Sequence, residues 1–282
     1  MEKRKEKHVL ALSGGKDSAA LAVFMREKYP KIPLEYIFID SGCELPETYE
    51  YLDRIQAILN INIIKIGGAN KDDRKDFKWW LKEKNNYLPS ALNRWCTDVL
   101  KLKPYSKWLF ENYSNNIIHS YVGLRADEKN KRKGYIDNSG IIVPHFPFVE
   151  NFLVYDDIKA ILENSGIGFP LYYKWRTRSG CYFCFYQSKQ EWLGLYDNHK
   201  DLFWEASSME KIDLLTGKKF TWCEDMSLIE LVHKRKEIEN RRLNNGRNTK
   251  NQKLYSSLKV HYKKIDIKKL IKLRVISHEK SR

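Results

Sequence analysis

Short apolar runs, each closed by glycine or a polar turn, alternate along the first 150 residues with stretches of helical period. Residues 9–12 end at Ser13-Gly14-Gly15, and residues 17–28 then repeat apolar side chains at Ala20, Leu21, Phe24 and Met25, the spacing of one helix face. A second run, 34–39, stops at Asp40-Ser41-Gly42. Residues 45–59 follow with Pro46 near their start and with Tyr49, Leu52, Ile55 and Ile58 on one face, which predicts a second helix. A third run, 62–66, closes at Gly67-Gly68, and 117–124 and 141–144 are further β-branched runs separated by charged loops. Strands alternating with helices predict an α/β fold, a doubly wound, Rossmann-like parallel sheet covered on both faces. Ligands of such sheets sit beyond the carboxyl ends of the strands. The loops that open at Ser13, Asp40 and Gly123 are therefore expected to converge on one site.

The pattern changes after a predicted helix over 155–164 and a connector, 166–170, that contains Gly166 and Pro170. Residues 171–232 are rich in Trp, Tyr and Phe but poor in strand alternation. They predict a small helical or irregular module, carrying cysteines, whose stability calls for a metal. Beyond it, 231–240 reads as helix, 244–252 as a polar linker, and 254–276 as mixed apolar and lysine-rich sequence. The expected division is residues 1–168 as a nucleotide-binding α/β domain, 169–232 as the aromatic and cysteine-rich C-terminal module, and 233–282 as a basic extension.

Composition sharpens this division. With 282 residues and 42% hydrophobic side chains the chain has material for about two domains, which excludes intrinsic disorder. The formal charge of +15 is concentrated: 17 basic and 4 acidic residues lie from His233 onward, a net of +13. A polyanionic partner is the natural inference. The competing reading of the tail is a solvated helix face. No run approaches about 18 apolar residues, so no membrane span is expected, and the run at 9–12 is too short for a signal peptide. Five cysteines without a secretion signal argue for reduced thiols or metal ligands and a cytoplasmic location.

Candidate chemistry begins with Ser13-Gly14-Gly15-Lys16-Asp17-Ser18, placed where a strand becomes a helix. Glycines let backbone N–H groups curl around phosphate oxygens, the helix N-terminus adds partial positive charge, Lys16 adds a full cation, and Ser13 and Ser18 add hydroxyls. The ordinary P-loop spacing fails, because Leu10 stands where a glycine is needed and Asp17 follows the lysine. The competing reading is a plain turn with an Asp cap. Asp17 and Asp40 are candidates for holding Mg²⁺ through water, or are caps of their loops.

These residues resemble the PP-loop of the ATP pyrophosphatases, the adenine nucleotide alpha-hydrolase-like superfamily. The stretch from Phe38 to Tyr49, Arg94-Trp95-Cys96-Thr97 through Lys103-Pro104, and Gly123-Leu124-Arg125-Ala126-Asp127-Glu128 resemble, in order, the PAPS reductase branch of it. The resemblance implies that residues 13–18 hold the phosphates of ATP, that the region of Ile39 and Asp40 meets adenosine near Gly123, and that Arg125 approaches the nucleotide or its adduct. Lys16, Asp17, Asp40 and Arg125 are then the expected catalytic group. True PAPS reductases resemble this chain in the sheet but carry a cysteine in a C-terminal ECGLH-type segment, whereas no cysteine follows Cys223 here. An intact SGGKDS instead resembles the sulfurtransferases of DNA phosphorothioation and tRNA thiolation.

Cys181-Tyr182-Phe183-Cys184 offers two thiolates to one metal, and Cys96 offers a third from the sheet domain. Cys43 and Cys223 compete for a fourth position. Spacing alone leaves structural zinc, an iron–sulfur cluster and an inert buried pair open, and the thiolation resemblance implies the cluster. Trp79, Trp80 and Trp175 read as packing residues, and His119 and His145, each isolated in sequence, as structural. The expected function is adenylation of a nucleic-acid oxygen, in DNA or tRNA, with replacement by sulfur from a cysteine desulfurase or another donor. Sulfonucleotide reduction and a noncatalytic, ATP-sensing nucleic-acid binder with a structural metal are the alternatives.

Overall fold

The computed structural model describes residues 4–67, 75–128, 141–212 and 219–244. The linker from 245, the lysine clusters at 263–264 and 268–269, and Tyr255 and Tyr262 lie outside the described residues, as does Gly68.

The first half folds as strands β1 (Glu6–Leu12), β2 (Leu34–Asp40) and β3 (Ile63–Gly67), with α1 (Lys16–Lys28) and α2 (Pro46–Leu59) between them. A helix not read from the pattern, α3 (Phe77–Glu83), follows. The next segment is helical from α4 (Trp95–Thr97) through a wide π-type turn, Asp98–Leu102, into α5 (Lys103–Tyr113). Periodicity conceals it because its apolar residues serve two neighbours, with Val99 and Leu100 in one core, Leu109 and Tyr113 in another, and Leu102 and Phe110 exposed. Then come β4 (Ile117–Tyr121), β5 (Ile142–His145), α6 (Pro147–Glu150) and α7 (Tyr155–Asn164). The five strands are all parallel in the order β3-β2-β1-β4-β5. The expected doubly wound sheet is therefore present, and its order reverses between β1 and β4.

Alternate residues of each strand feed opposite faces. On one face Leu10, Leu12, Tyr36, Phe38 and Tyr121 pack with Phe24, Leu52, Ile55, Ile158 and Leu162 of α1, α2 and α7. On the other, Val9, Ile37, Ile66 and Ile118 meet Leu109 and Tyr113 of α5. Near-continuous burial of α1, with Val9, Leu10 and Leu12 buried in β1, is what a helix and strand at the centre of such a sandwich require.

The rest of the chain forms α8 (Lys189–Asn198), α9 (Lys200–Ser208), a two-stranded antiparallel pair β6 (Lys211–Ile212) and β7 (Lys219–Phe220), α10 (Leu228–His233) and α11 (Arg235–Asn244). Its core is built on the fully buried Trp192, with Tyr172, Phe183, Phe203, Trp222 and Leu231. Leu45, Phe77, Leu81, Trp95, Val99 and Leu100 of the sheet half belong to the same cluster. Phe77 stacks on Trp95 with ring centroids 5.2 Å apart and lies 3.9 Å from Phe183, so one aromatic ladder crosses from one part to the other. Trp175 packs so tightly on Gly194 that a Cβ there would meet its ring at 2.7 Å.

Candidate active site

The carboxyl ends of β1, β2 and β4 carry the predicted loops, and the loops touch. A Cβ on Gly123, beyond β4, would lie 2.9 Å from the Asp17 carbonyl oxygen, so the loops after β1 and β4 meet at the point where strand order reverses. Within residues 13–18 the Ser18 hydroxyl closes the bend: it accepts from the Ser13 N–H at 3.1 Å and donates to the Gly15 carbonyl at 3.1 Å. Gly14 has φ of +68°, a region costing other residues about 1–2 kcal/mol, and a Cβ there would run into Thr48 Cγ2 at 2.4 Å. Only glycine fits. Gly15 caps α1 with no side-chain acceptor, which leaves the first turn's N–H groups for an anion.

Lys16 is 9% exposed, its Nζ 2.6 Å from Asp17 and over the rings of Tyr155 and Tyr173 at 5.6 and 5.7 Å. Arg125 donates to the other Asp17 oxygen at 2.8 Å and also pairs with Asp127 at 2.9 Å and Glu128 at 3.1 Å. Lys16, Asp17 and Arg125 are thus brought into one network. Its two cations face three carboxylates, a balance that suits a cation-bound polyphosphate better than a bare one. Asp40 serves the neighbouring turn instead, where its Oδ1 accepts from Tyr49 Oη at 2.8 Å and from the Gly42 N–H at 2.7 Å. Ile39 packs beside it at the end of β2.

The cysteines gather at the next loop. Cys181 Sγ lies 3.1 Å from Ser41 Oγ and 3.8 Å from Glu44 Oε1, and the Tyr182 N–H donates to the Cys43 carbonyl at 2.8 Å. Burial pushes the Cys181 thiol up to about 12, with Glu44 adding to it. Cys43 is raised by burial and then by Cys181, and Cys96 by burial with Cys184 as a contributing neighbour. Cys43 is thus a neighbour of Cys181, and Cys184 of both Cys181 and Cys96. Cys223 has other company, Glu210, Lys189 and Asp225, and its thiol is held up to about 12 by burial.

Three residues outside the predicted set complete this pocket. Glu44 is 7% exposed; its Oε1 accepts from Ser41 at 2.9 Å and from Lys101 at 3.4 Å, while its Oε2 is buried with no partner. Glu44 in turn holds Lys101 well above the ordinary lysine range. Arg176, 1% exposed, donates to the carbonyls of Gly180 and Cys181 at 3.2 and 2.8 Å and so sets the cysteine loop. The signal for Glu44 lay in the quoted segment between Asp40 and Tyr49, and that for Arg176 in the basic residues just before Cys181.

An orphaned carboxylate oxygen among thiols is a donor set short of an electrophile, and it fits a metal centre. Among the described residues no three cysteine sulfurs lie within 4.8 Å of one another. A single tetrahedral zinc ion needs sulfurs about 3.8 Å apart, from Zn–S bonds of about 2.3 Å, a spacing that no three of the described cysteines meet.

The two loops are joined. Ser179, two residues before Cys181, lies with its Oγ 3.5 Å from Ser13 Oγ, and Tyr172 Oη donates to the Gly14 carbonyl at 2.7 Å.

A doubly wound sheet whose first strand ends in a glycine-lysine-serine bend at the topological switch point is an α/β architecture that offers a phosphate site there. Residues 7–135 match the phosphoadenosine phosphosulfate reductase domain family. That stretch is similar to the PAPS reductase branch of the adenine nucleotide alpha-hydrolase superfamily, a sulfur-related, nucleotide-using group. An uncharacterized protein of Methanocaldococcus jannaschii is 29% identical over 65% of this chain and 37% of its own length. The chain spans between 37% and 53% of the length of the curated relatives it matches. Among solved structures it is similar to a PAPS reductase of Candida auris in a phosphate complex, with TM-score 0.48 and 14% identity over 63% of this chain and 82% of that one. It is also similar to the U34-tRNA thiolase NcsA of Methanococcus maripaludis with its [4Fe-4S] cluster, with TM-score 0.42 and 16% identity over 73% of this chain and 71% of that one. No helix among the described residues is long and apolar enough to cross a membrane.

Proposed function

We propose that the protein is an ATP-dependent sulfurtransferase that activates an oxygen of a nucleic acid as an AMP ester, releasing pyrophosphate, and replaces that oxygen with sulfur. One observation carries the reading: the 3.5 Å approach of Ser179 to Ser13 puts the cysteine loop against the phosphate loop, so nucleotide and sulfur chemistry share one end of the sheet.

The substrate oxygen attacks the α-phosphorus of ATP and the bond to the bridging oxygen breaks, so negative charge builds on the departing pyrophosphate. Lys16, the amides of the glycine bend and the first turn of α1 neutralise that charge without having to reorganise. Arg125, anchored by three carboxylates, holds its guanidinium in a fixed orientation toward the same loop. Mg²⁺ held through water by Asp17 and Asp40 would neutralise the phosphate oxygens. A cluster held by Cys96, Cys181 and Cys184, with Cys43 as fourth ligand in preference to Cys223, would supply a binding place for the sulfur to be delivered. When sulfur displaces AMP, a hydroxyl, ATP and hydrosulfide have become a thiol, AMP and pyrophosphate.

In this scheme residues 1–168 activate, 169–232 handle sulfur, and the basic extension 233–282 recruits DNA or tRNA through phosphates, with a log–log salt slope of roughly −0.9 per contact on duplex DNA. A cysteine desulfurase or free sulfide is the donor. The test uses oxygen-free full chain with ATP, sulfide and either tRNA or DNA, read as pyrophosphate released and sulfur incorporated, together with iron and sulfide analysis. Bound iron and nucleic-acid-dependent pyrophosphate support the reading. Protein with neither iron nor zinc, and no pyrophosphate with either nucleic acid, overturns it. The match to the PAPS reductase family favours sulfonucleotide reduction as the second reading, which predicts thioredoxin-dependent sulfite release from PAPS and no pyrophosphate.

A further inference from the structure

At the opposite end of β1 lies a second cluster that nucleotide chemistry does not use. Parallel register sets His8 beside His119. Their rings stack at 4.7 Å, and Glu6, His8 and His119 bring one ligand atom each to within 4.8 Å of one another. His8 follows Glu6 by two positions, so both side chains leave the same face of the strand.

The hydrogen bonds choose the free atoms. His8 Nδ1 is 3.0 Å from Tyr121 Oη, and His119 Nδ1 is 2.8 Å from His145 Nε2. Each imidazole thus has Nδ1 engaged and Nε2 left over; the His119 Nε2 is buried without a hydrogen-bond partner. Its nearest acidic atom, Glu6 Oε2, stands 3.7 Å away, too far for a hydrogen bond. Two ligands of one tetrahedral ion, each about 2.1 Å from it, lie about 3.4 Å apart, so this separation suits an ion shared between them. Metal-bound histidines are held by a partner on the other ring nitrogen, and Tyr121 and His145 stand in those places.

We propose that Glu6, His8 and His119 form a binding site for a divalent transition-metal ion of the zinc class, with Tyr121 and His145 as orienting partners. Two imidazoles and a carboxylate suit zinc, cobalt or nickel rather than magnesium or calcium, and three protein ligands leave a coordination position for water. The site is separate from the nucleotide and cysteine end of the sheet: Ser13 stands five positions beyond His8, about 16 Å of extended chain. It therefore stands or falls independently of the proposed sulfurtransferase activity.

The test strips the full chain with a chelator, equilibrates it with Zn²⁺ or Co²⁺, removes free metal and counts bound ions by mass spectrometry. The wild-type chain should hold one more equivalent than the double variant His8→Ala/His119→Ala, and cobalt in that equivalent should give visible absorption without a thiolate charge-transfer band. Cys181→Ser should keep it. His145→Ala should bind 10- to 100-fold more weakly. Glu6→Gln alters an exposed carboxylate and should fold normally; it decides the matter if the double variant does not fold, with at least tenfold weaker binding expected. Equal metal counts and affinities in wild type and in folded variants overturn the proposal.

Discussion

The phosphate loop and the cysteine pocket sit side by side yet are built in opposite ways. The loop is local: residues 13–18 close on themselves through Ser18, Gly14 supplies a backbone angle that other residues resist, and the charges of Lys16, Asp17 and Arg125 are set within one network. The pocket is long-range. Glu44 and Cys181 are 137 residues apart, the loop carrying Cys181 is shaped by a buried arginine, and its thiols are pushed upward by burial. A site made of backbone and fixed charge is preformed, whereas half-buried neutral thiols would have to shed protons to take the metal proposed for them.

This contrast predicts separable failures. The largest effect is expected from Lys16→Ala, which should lower pyrophosphate release by about 100-fold or more, as loss of a preorganised charge partner does, while metal content stays unchanged; loss of metal in the same variant would break the separation. Next, Cys181→Ser should strip most metal from oxygen-free protein, measured by iron and zinc analysis, and leave ATP binding intact by titration calorimetry.

Tyr172→Phe probes the seam, since its hydroxyl donates to Gly14 from the neighbouring loop; about 1 kcal/mol of stability should be lost in urea denaturation, with a raised KM for ATP. The smallest effect belongs to Cys223→Ser, which should leave metal content unchanged. It should, however, flatten an alkaline decline. The Cys223 thiol sits at about 12 in the folded chain and near 8.5 when unfolded, so the folded state holds the extra proton between those values. Its contribution to stability is complete below about pH 8.5 and is lost as pH rises toward 12. Denaturation midpoints of wild type and variant should therefore diverge below that range and converge through it.

The sequence by itself determined the sheet and the bend at the end of β1, because alternation of β-branched runs with helical period and a Gly-Gly-Lys turn are short-range signals, legible within a dozen residues. It also held the candidate thiols. Which thiols keep company was a matter for tertiary structure: nothing in the spacing of Cys43 and Cys223 separates them, while the fold sets one against Cys181 and the other against Glu210. The helical run through α4 and α5 escaped notice because its apolar residues are divided between two cores. His8, His119 and His145 are unremarkable in sequence, more than 20 residues apart or more than 100, and become a cluster only because parallel pairing lays β1, β4 and β5 side by side. Local propensity writes the elements, but a site made from several strands depends on register and packing, which are properties of the whole folded chain.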